Sequence, residues 1–160
     1  MSYRVGLGYD VHRLAEGETL WLGGIRIPHD KGLVAHSDGD VLLHAICDAL
    51  LGAAKLRDIG YHFPDTSSEF KNIDSKVLLD LTYQLVRRKG YLLVNLDATI
   101  SAQQPRLMDF ISSMEGAIAE TLKVDIEAIN IKATTTEKLG FEGREEGISA
   151  QAVVLIEKID

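Results

Sequence analysis

Ser37-Asp38-Gly39-Asp40 runs directly into the apolar segment Val41-Leu42-Leu43-His44-Ala45-Ile46-Cys47-Asp48-Ala49-Leu50-Leu51, and this part of the chain organises everything around it. The polar start has the spacing of a capping box, which marks the beginning of a helix. The apolar residues after it recur at helical intervals, so we predict a helix over residues 38–54. Its buried face is expected to consist of Leu42, Ile46, Ala49 and Ala53.

The segments outside this helix alternate between strand and helix patterns. Strands are predicted over 3–9, 91–102, 129–135 and 148–158, and two short apolar runs around Gly23-Gly24 predict a hairpin. Residues 29–39 are expected to be a loop, and 55–73 to be irregular. Further helices are predicted over 75–89, with Val77, Leu78, Leu81 and Leu85 facing inward, and from Pro105 onward. The order indicates an α+β fold, in which a mixed β-sheet is covered by helices on one face, within a single domain of residues 1–160.

The composition narrows the functional class. Hydrophobic residues make up 46% and charged residues 26% of 160 residues, which is typical of a globular domain. Seventeen Lys and Arg against 24 Asp and Glu give a net charge of −7, which speaks against binding to nucleic acid or to an anionic membrane. There is no apolar run of ~20 residues, no signal-peptide pattern and one cysteine, Cys47. We therefore expect a soluble cytoplasmic protein.

A candidate metal site combines the first predicted strand with the central helix. Asp10 and His12 point to the same side of a strand, because strand residues alternate faces. His44 lies on one helix stripe with Asp40 and Asp48, which are four residues away on either side. An Asp-His-His set leaves a fourth tetrahedral position open, as in a catalytic zinc site, and Asp40 or Asp48 could accept the second ring proton of a ligating histidine. From spacing alone, a polar strand end beside a solvated helix stripe stays an equal alternative.

A second polar segment, Lys132-Ala133-Thr134-Thr135-Thr136-Glu137-Lys138, follows a predicted strand. Its hydroxyl groups, backbone amides and carboxylate suit phosphate oxygens and a hard divalent cation. Taken alone, strand residues that run into a helix cap are the simpler interpretation.

Gly6-Leu7-Gly8 lacks the third glycine and the following helix of a dinucleotide fingerprint. Cys47 is interpreted as a packing residue.

Several motifs stand together in a fixed order along nearly the whole chain. They are Gly8-Tyr9-Asp10-Val11-His12, His36-Ser37-Asp38-Gly39-Asp40, Asp58-Ile59-Gly60, Phe63-Pro64-Asp65-Thr66, Ala102-Gln103-Gln104-Pro105 and Ala133-Thr134-Thr135-Thr136-Glu137-Lys138-Leu139-Gly140-Phe141. In this combination the chain resembles the 2-C-methyl-D-erythritol 2,4-cyclodiphosphate synthase family of the non-mevalonate isoprenoid pathway. The resemblance implies that residues 1–160 form a single cyclodiphosphate synthase domain.

The resemblance also implies an activity, that of a phosphorus-oxygen lyase. The substrate would be 4-diphosphocytidyl-2-C-methyl-D-erythritol 2-phosphate, whose 2-phosphate attacks the β-phosphate, so that CMP leaves and the cyclic diphosphate remains. Zn²⁺ would be bound by Asp10, His12 and His44, and Mg²⁺ or Mn²⁺ by Glu137 together with substrate phosphates. His36 and Thr135 match positions that stabilise the transition state. Neither a strong base nor a covalent nucleophile is needed, since nucleophile and leaving group are both phosphates.

The family pattern further implies a set of substrate-binding residues and an assembly. The family is a homotrimer whose active sites lie between neighbouring subunits. The implied substrate-binding residues are Asp10, Val11, His12, His36, Ser37, Asp58, Ile59, Gly60, Phe63, Pro64, Asp65, Thr66, Ser67, Ala102, Gln103, Gln104, Pro105, Arg106, Leu107, Met108, Thr134, Thr135, Thr136, Glu137, Phe141 and Arg144. Of these, Ala102 to Met108 and Thr134 match the cytidine pocket, and Phe141 and Arg144 border the substrate or the central channel of the trimer. The cytidine loop departs from the common Ala-Gln-Ala-Pro-Lys at Gln104 and Arg106.

Two other functions agree with the same residues. A metal-dependent nucleotide-diphosphate phosphohydrolase would use the metals to activate water, and would release a free monophosphate instead of a cyclic product. A non-catalytic trimeric module would use zinc only to tie the first strand to the helix. The open fourth metal position argues against the module, because structural zinc normally has four protein ligands.

Overall fold

The computed structural model describes residues 2–159, which form a five-stranded mixed sheet, a separate hairpin and three long helices. Met1 and Asp160, the two ends of the predicted domain, lie outside the described residues. The strands are β1 (Tyr3–Glu16), β2 (Leu20–Leu22), β3 (Ile25–Ile27), β4 (Lys31–Val34), β5 (Tyr91–Ser101), β6 (Ile129–Thr134) and β7 (Gly147–Lys158). The helices are α1 (Val41–Ala53), α2 (Ile59–His62), α3 (Ser75–Arg88), α4 (Ile111–Leu122) and α5 (Gly140–Gly143), with 3₁₀ turns at Ser68–Phe70, Met108–Phe110 and Ile126–Ala128.

The sheet has the strand order β4-β1-β7-β5-β6. β1 is antiparallel to β4 and β7, β7 is antiparallel to β5, and β5 is parallel to β6. Strands β1, β5 and β6 therefore run in the same direction, and their C-terminal ends lie at the same end of the sheet. Strands β5 and β6 lead into the segments that begin at Ala102 and Thr135, and β1 itself contains Asp10 and His12.

The helices cover one face of this sheet, as the sequence predicts. α1 packs on β1 and β7, α3 contacts β5, and α4 contacts β6. On β7, Ala150, Ala152 and Val154 are buried on the helix side, whereas Gln151 and Val153 between them are exposed. The mixed sheet and the α+β class are thus confirmed for the described chain. No helix within residues 2–159 is both long and apolar enough to cross a membrane.

Strand β1 and helix α1 approach each other at backbone distance. A Cβ atom added to Gly8 would lie 1.8 Å from the carbonyl oxygen of Ala45, and one added to Gly6 would lie 1.9 Å from that of Ala49. Only glycine fits at these two positions, because any side chain would occupy the volume of the helix backbone. Asp10 and His12 follow on the same face of the strand. The close contact therefore brings them beside the first turns of α1.

The N-terminus of α1 is tied to the hairpin through Asp40. Its carboxylate caps the helix by accepting from the amide of Leu43 at 3.1 Å, and it also accepts from the amides of Gly23 at 3.0 Å and Gly24 at 2.7 Å. Complete burial, together with the charge of Asp38, raises the pKa of Asp40 to about 6, against the opposing effect of the backbone donors. At neutral pH the group is therefore mainly ionised, and one buried carboxylate holds two elements together.

Several element boundaries differ from the sequence predictions at the start of the chain. β1 continues past residue 9 to Glu16, because its second half pairs with both β7 and β4. The expected loop over 29–39 contains strand β4, whose pairing with β1 no local pattern reveals. α1 begins at Val41, and Asp40 is its N-cap instead of Ser37, because the Asp40 carboxylate receives the Leu43 amide. The hairpin around Gly23-Gly24 is confirmed.

The later helices correct two further predictions. In α3, Leu78 is buried as expected, but Val77 is 46% exposed, and Leu81 and Leu85 are half-buried. The buried side passes instead through Ser75, Leu78, Leu79, Thr82, Tyr83 and Val86, because α3 packs against both α1 and α4. The helix expected from Pro105 begins at Ile111, since the segment before it stays attached to the sheet through the Ala102 amide and the Thr134 carbonyl at 3.0 Å. The segment 55–73, expected to be irregular, contains α2 and one 3₁₀ turn.

Replacing glycine by alanine should have opposite effects at two positions. Gly8→Ala should lower the free energy of unfolding by about 3 kcal/mol, because its Cβ meets backbone that cannot move aside. Gly52→Ala, in the exposed last turn of α1, meets nothing within 4 Å and should raise it by about 0.5–1 kcal/mol. Urea unfolding at one protein concentration measures both, and a Gly8→Ala variant as stable as the parent chain would contradict the contact.

Candidate metal centre and substrate pocket

Asp10, His12 and His44 converge on one point between β1 and α1. The Asp10 Oδ2 atom lies 2.8 Å from His12 Nε2 and 3.2 Å from His44 Nδ1, and the two ring nitrogens are 3.2 Å apart. Ligand atoms around tetrahedral zinc are about 3.3 Å from one another, given metal–ligand bonds of about 2.0–2.1 Å. The three atoms thus have the size and chemistry of one face of such a tetrahedron. They are the one such group of potential ligands among residues 2–159.

The electrostatics of the cluster favour a cation. Burial raises the pKa of Asp10, but hydrogen bonds and charge interactions with His12 and His44 outweigh it and lower the pKa to about 2. For His44, burial lowers the pKa, yet the hydrogen bond to Asp10 and the charges of Asp10, Asp40 and Asp38 raise it above 6.5. A permanently ionised carboxylate thus faces an imidazole that readily takes up positive charge.

The second nitrogen of His44 faces two hydroxyl groups. Its Nε2 atom lies 2.9 Å from Ser75 Oγ and 3.2 Å from Ser37 Oγ. The prediction that Asp40 or Asp48 takes this proton is wrong, because both carboxylates accept from backbone amides instead. Asp40 holds the hairpin, and Asp48 accepts from the Ile59 amide at 2.8 Å. Burial also raises the pKa of Asp48.

A cavity of about 370 Å³ opens beside the three ligands. Of the residues implied in substrate binding, it is lined by Asp10, His12, His36, Ser37, Ile59, Gly60, Phe63 and Asp65. The Nε2 atom of His36 is buried there, and it has no hydrogen-bond partner among the described residues. His36 thus lies at the metal cavity with one ring nitrogen that is unpaired among the described residues.

A second cavity, of about 590 Å³, lies at the C-terminal ends of β5 and β6. Its lining includes the whole implied cytidine loop, Ala102, Gln103, Gln104, Pro105, Arg106, Leu107 and Met108, together with Thr134 and Thr135. The loop is joined to the threonine segment by a hydrogen bond from the Lys138 amide to Gln103 Oε1 at 3.1 Å. Two segments far apart in the sequence thus form one pocket.

The remaining implied residues lie outside these two cavities. A third cavity, of about 700 Å³, is lined by Phe141 and Arg144 together with Val11 and His12. Arg144 there forms an ion pair with Glu146 at 3.2 Å. Glu137 is exposed and has a left-handed backbone with φ 54°, in the turn that follows β6. Asp58, Pro64, Thr66, Ser67, Thr136 and Glu137 do not line any of the three cavities.

The metal cluster and the threonine segment lie far apart within one chain. His12 pairs with Ile148 on β7, its neighbour Ser149 pairs with Ser101 on β5, and Ser101 pairs with Thr134 on β6. Three strand spacings of about 4.8 Å therefore separate His12 from Thr134, or about 14 Å across the sheet. Thr135 and Glu137 lie beyond Thr134, outside contact range of a metal bound at Asp10.

Sequence reasoning missed some residues that build the site. Ser75 is predicted only as a helix start, although its hydroxyl faces His44. Gly6 and Gly8 are dismissed as an incomplete dinucleotide motif, although they permit the strand–helix contact. A signal existed for the glycines. Two residues of a strand span about the same length as four residues of a helix. Gly6 and Gly8 are therefore spaced like the alanines at 45, 49 and 53 along one side of the helix. No pattern marks Ser75, because its role depends on a contact 31 residues away in sequence.

The fold and site define a class, namely a single-domain α+β protein in which a strand and a helix present three ligands for a divalent metal beside a small-molecule cavity. Residues 3–157 match the model of the YgbB family, and the chain belongs to that family. It is 64% identical over 158 residues to a 2-C-methyl-D-erythritol 2,4-cyclodiphosphate synthase of Bacteroides thetaiotaomicron, covering 99% of both chains. The family resemblance read from the sequence motifs is thereby confirmed.

Solved structures with the same fold support this assignment. A 2C-methyl-D-erythritol-2,4-cyclodiphosphate synthase in a CDP-bound form superposes with a TM-score of 0.89 at 35% identity, over 96% of this chain and 100% of that one. The bifunctional IspDF from Campylobacter jejuni gives a TM-score of 0.96 at 48% identity over 99% of this chain. The chain spans only 43% of the length of that bifunctional protein.

Metal binding should weaken as the pH falls, because protons and the metal compete for the same nitrogens. His44 binds a metal only when Nδ1 is unprotonated, and its raised pKa makes the competition begin above the usual histidine range. Between about pH 7.5 and about pH 5.5, Zn²⁺ affinity should fall by about tenfold or more from His44 alone. A chelator competition assay measures it, with His62→Gln, outside the cluster, as the control. An affinity that does not change with pH would contradict histidine ligation.

Proposed function

We propose that the chain converts 4-diphosphocytidyl-2-C-methyl-D-erythritol 2-phosphate to 2-C-methyl-D-erythritol 2,4-cyclodiphosphate and CMP, as its named relatives do. The observation that supports it most directly is the Asp10-His12-His44 cluster, which lies beside an open cavity in a chain that matches synthases over its whole length. Residues 1–160 act as one such domain in this proposal. The cytoplasmic location expected from the sequence stays a prediction.

In this proposal each cluster of residues holds one part of the substrate. Asp10, His12 and His44 bind Zn²⁺, and Glu137 binds Mg²⁺ or Mn²⁺. Divalent cations neutralise charge on phosphate oxygens and thereby let two phosphates approach each other. His36 lines the cavity, and its Nε2 atom has no hydrogen-bond partner among the described residues, so we assign it a hydrogen bond to a phosphate oxygen. The nucleobase binds in the second cavity, whose lining includes the whole loop over 102–108.

The proposed assembly is a homotrimer with the active site divided between neighbours. Thr135 and Glu137 act in the proposed reaction together with the zinc ligands, yet about 14 Å of sheet separates Thr134 from His12 within one chain. A neighbouring copy that presents its own threonine segment to the metal cavity would remove this separation. The cytidine pocket would come with it, because the Lys138 amide bonds to Gln103.

The uncovered face of the sheet supports such an assembly. Along β1, Val5 and Leu7 are each 68% exposed, Tyr9 is 50% exposed and Val11 is 40% exposed. Val153 on the neighbouring strand β7 adds to this row at 44%. Apolar side chains arranged in one continuous row on an uncovered sheet are typical of a surface that is buried between protein chains. Subunits that meet on this face would have their sheets facing one another.

Phosphorus NMR of the reaction mixture tests the proposed activity. The expected product has two mutually coupled phosphorus signals from the ring, accompanied by CMP. His44→Ala should form no product, because a metal ligand is lost, while a core of this size keeps the chain folded. A phosphohydrolase would instead release a phosphate monoester and no ring, and that spectrum would overturn the proposal in favour of the hydrolytic alternative.

Mixing two inactive variants tests the divided site. His12→Ala lacks a metal ligand, and a variant with Pro105 and Arg106 replaced lacks the cytidine loop. If random trimers form from equal amounts, about one interface in four pairs an intact metal site with an intact loop, so roughly a quarter of the parent activity should return. Mixing two different loop variants is the control and should recover nothing. A monomer in sedimentation, or no recovery of activity after subunit exchange, would contradict the divided site.

A further inference from the structure

Ser75, at the first position of α3, connects His44 to an acidic residue outside the metal cluster. Its side chain is fully buried, with Oγ 2.9 Å from His44 Nε2 and 2.5 Å from Asp38 Oδ1. The other carboxylate oxygen of Asp38 accepts from the Ser75 amide at 2.8 Å. Asp38 therefore binds both the backbone amide and the hydroxyl of Ser75, the nearer of the two serines behind the metal ligand.

The chemistry of these groups fixes the direction of each hydrogen bond. A carboxylate only accepts, and a serine hydroxyl has a single proton. Ser75 therefore donates to Asp38, and only its lone pairs remain for His44. Nε2 of His44 must then carry the ring proton, so Nδ1 keeps its lone pair. Nδ1 is the atom that faces Asp10 and His12.

We propose that Asp38 and Ser75 are positioning residues that hold His44 in the Nε2–H tautomer and so present its Nδ1 to the divalent metal. Partners of this kind behind a metal ligand typically change metal affinity by 10–100-fold. The inference rests on the proposed function only in taking the cluster as a metal site, and it does not depend on which reaction the metal serves.

Asp38 also fastens the loop that contains two implied substrate residues. The Asp40 amide donates to Asp38 Oδ1 at 3.0 Å, and the Asn72 amide donates to the His36 carbonyl at 2.9 Å. The segment 36–40 is thus attached at His36 to the chain just before α3, and at Asp38 to the first residue of α3. The same carboxylate sets the orientation of the metal ligand and the position of the loop beside it.

Ser37 is the one competing partner for the His44 proton, at 3.2 Å from Nε2. Its hydroxyl accepts from the Gly39 amide at the long distance of 3.4 Å, and no carboxylate within residues 2–159 accepts a hydrogen bond from it. Because its proton is free to turn, Ser37 can either donate to Nε2 or accept from it. Ser75 cannot donate to Nε2, because its single proton is already bound to Asp38. Ser75 therefore selects the tautomer.

Two substitutions separate this role from simple structural support. Ser75→Ala removes the selecting hydroxyl and should weaken Zn²⁺ binding by about tenfold. Asp38→Asn should weaken it more, by about 10–100-fold, because in either orientation its NH₂ faces a donor of Ser75, the hydroxyl or the backbone amide, so that the hydroxyl loses its fixed direction and His44 its tautomer preference. Thr82→Val is the matched control, since it removes another fully buried hydroxyl from α3 without touching the metal cluster.

The readouts are Zn²⁺ affinity by chelator competition and the imidazole ¹⁵N shifts of His44 in the metal-free full-length chain, at a pH high enough that the shifts no longer change and the ring is neutral. We expect the Nε2–H tautomer in the parent chain, a loss of that preference in Asp38→Asn, and a Zn²⁺ affinity of Thr82→Val within about twofold of the parent.

An Nδ1–H tautomer in the parent chain, or unchanged affinity in both variants, would overturn the inference. Equal weakening in Thr82→Val would overturn it as well, since the effect would then be general loss of packing. If Ser75→Ala fails to fold, the parent tautomer and Asp38→Asn still decide. None of these measurements involves the cyclisation, so a chain that forms no cyclic product but shows these shifts would refute only the proposed function.

Discussion

The contact between β1 and α1 at backbone distance is the constraint on which the rest of the structure depends. Short side chains reach only a few ångströms, so Asp10 and His44 can meet at 3.2 Å only if their backbones are already close. Gly8 provides that closeness, because its missing side chain leaves room for the carbonyl of Ala45, the residue next to His44. The metal cluster is thus a consequence of packing between a glycine strand and an alanine-lined helix.

Carboxylates in the segment around residues 38–48 serve as anchors for backbone rather than as reactive groups. Asp40 binds the hairpin amides, Asp38 binds the start of α3, and Asp48 binds the Ile59 amide that begins α2. Each satisfies a donor that would otherwise be buried without a partner, which costs about 1–3 kcal/mol. Asp10, on β1, differs from them, because its hydrogen-bond partners within residues 2–159 are two imidazoles and no backbone amide. That difference in partners separates the ligand carboxylate from its structural neighbours.

Patterns that lie within one element could be read from the sequence, whereas contacts between elements could not. Asp10 and His12 share a strand face by period alone, the helix stripe offered His44 as a third ligand at even odds, and the motif resemblance favoured that choice. β4 was not predicted, because it has only four residues, of which the first is half-buried and the last is exposed. It is a strand only because it pairs with β1. In α3, neighbouring Val77 and Leu78 fit the helical period about equally well, and only packing against α1 decides between them. The Asp38–Ser75–His44 chain joins three elements, so no local signal exists for it.

The charge of the metal cavity explains how an acidic chain can take a phosphate ligand. Among the described residues that line the first cavity there is neither lysine nor arginine, while Asp10 and Asp65 both contribute carboxylates. Since the pKa of Asp10 is about 2, that carboxylate stays ionised throughout the physiological range. Within one chain, positive charge offered to a polyanion here would come from the bound cation and from the histidines. In the proposed function, the ionised Asp10 that makes a strong metal ligand would also disfavour phosphate in the metal-free cavity, so we expect the metal to bind before the anion.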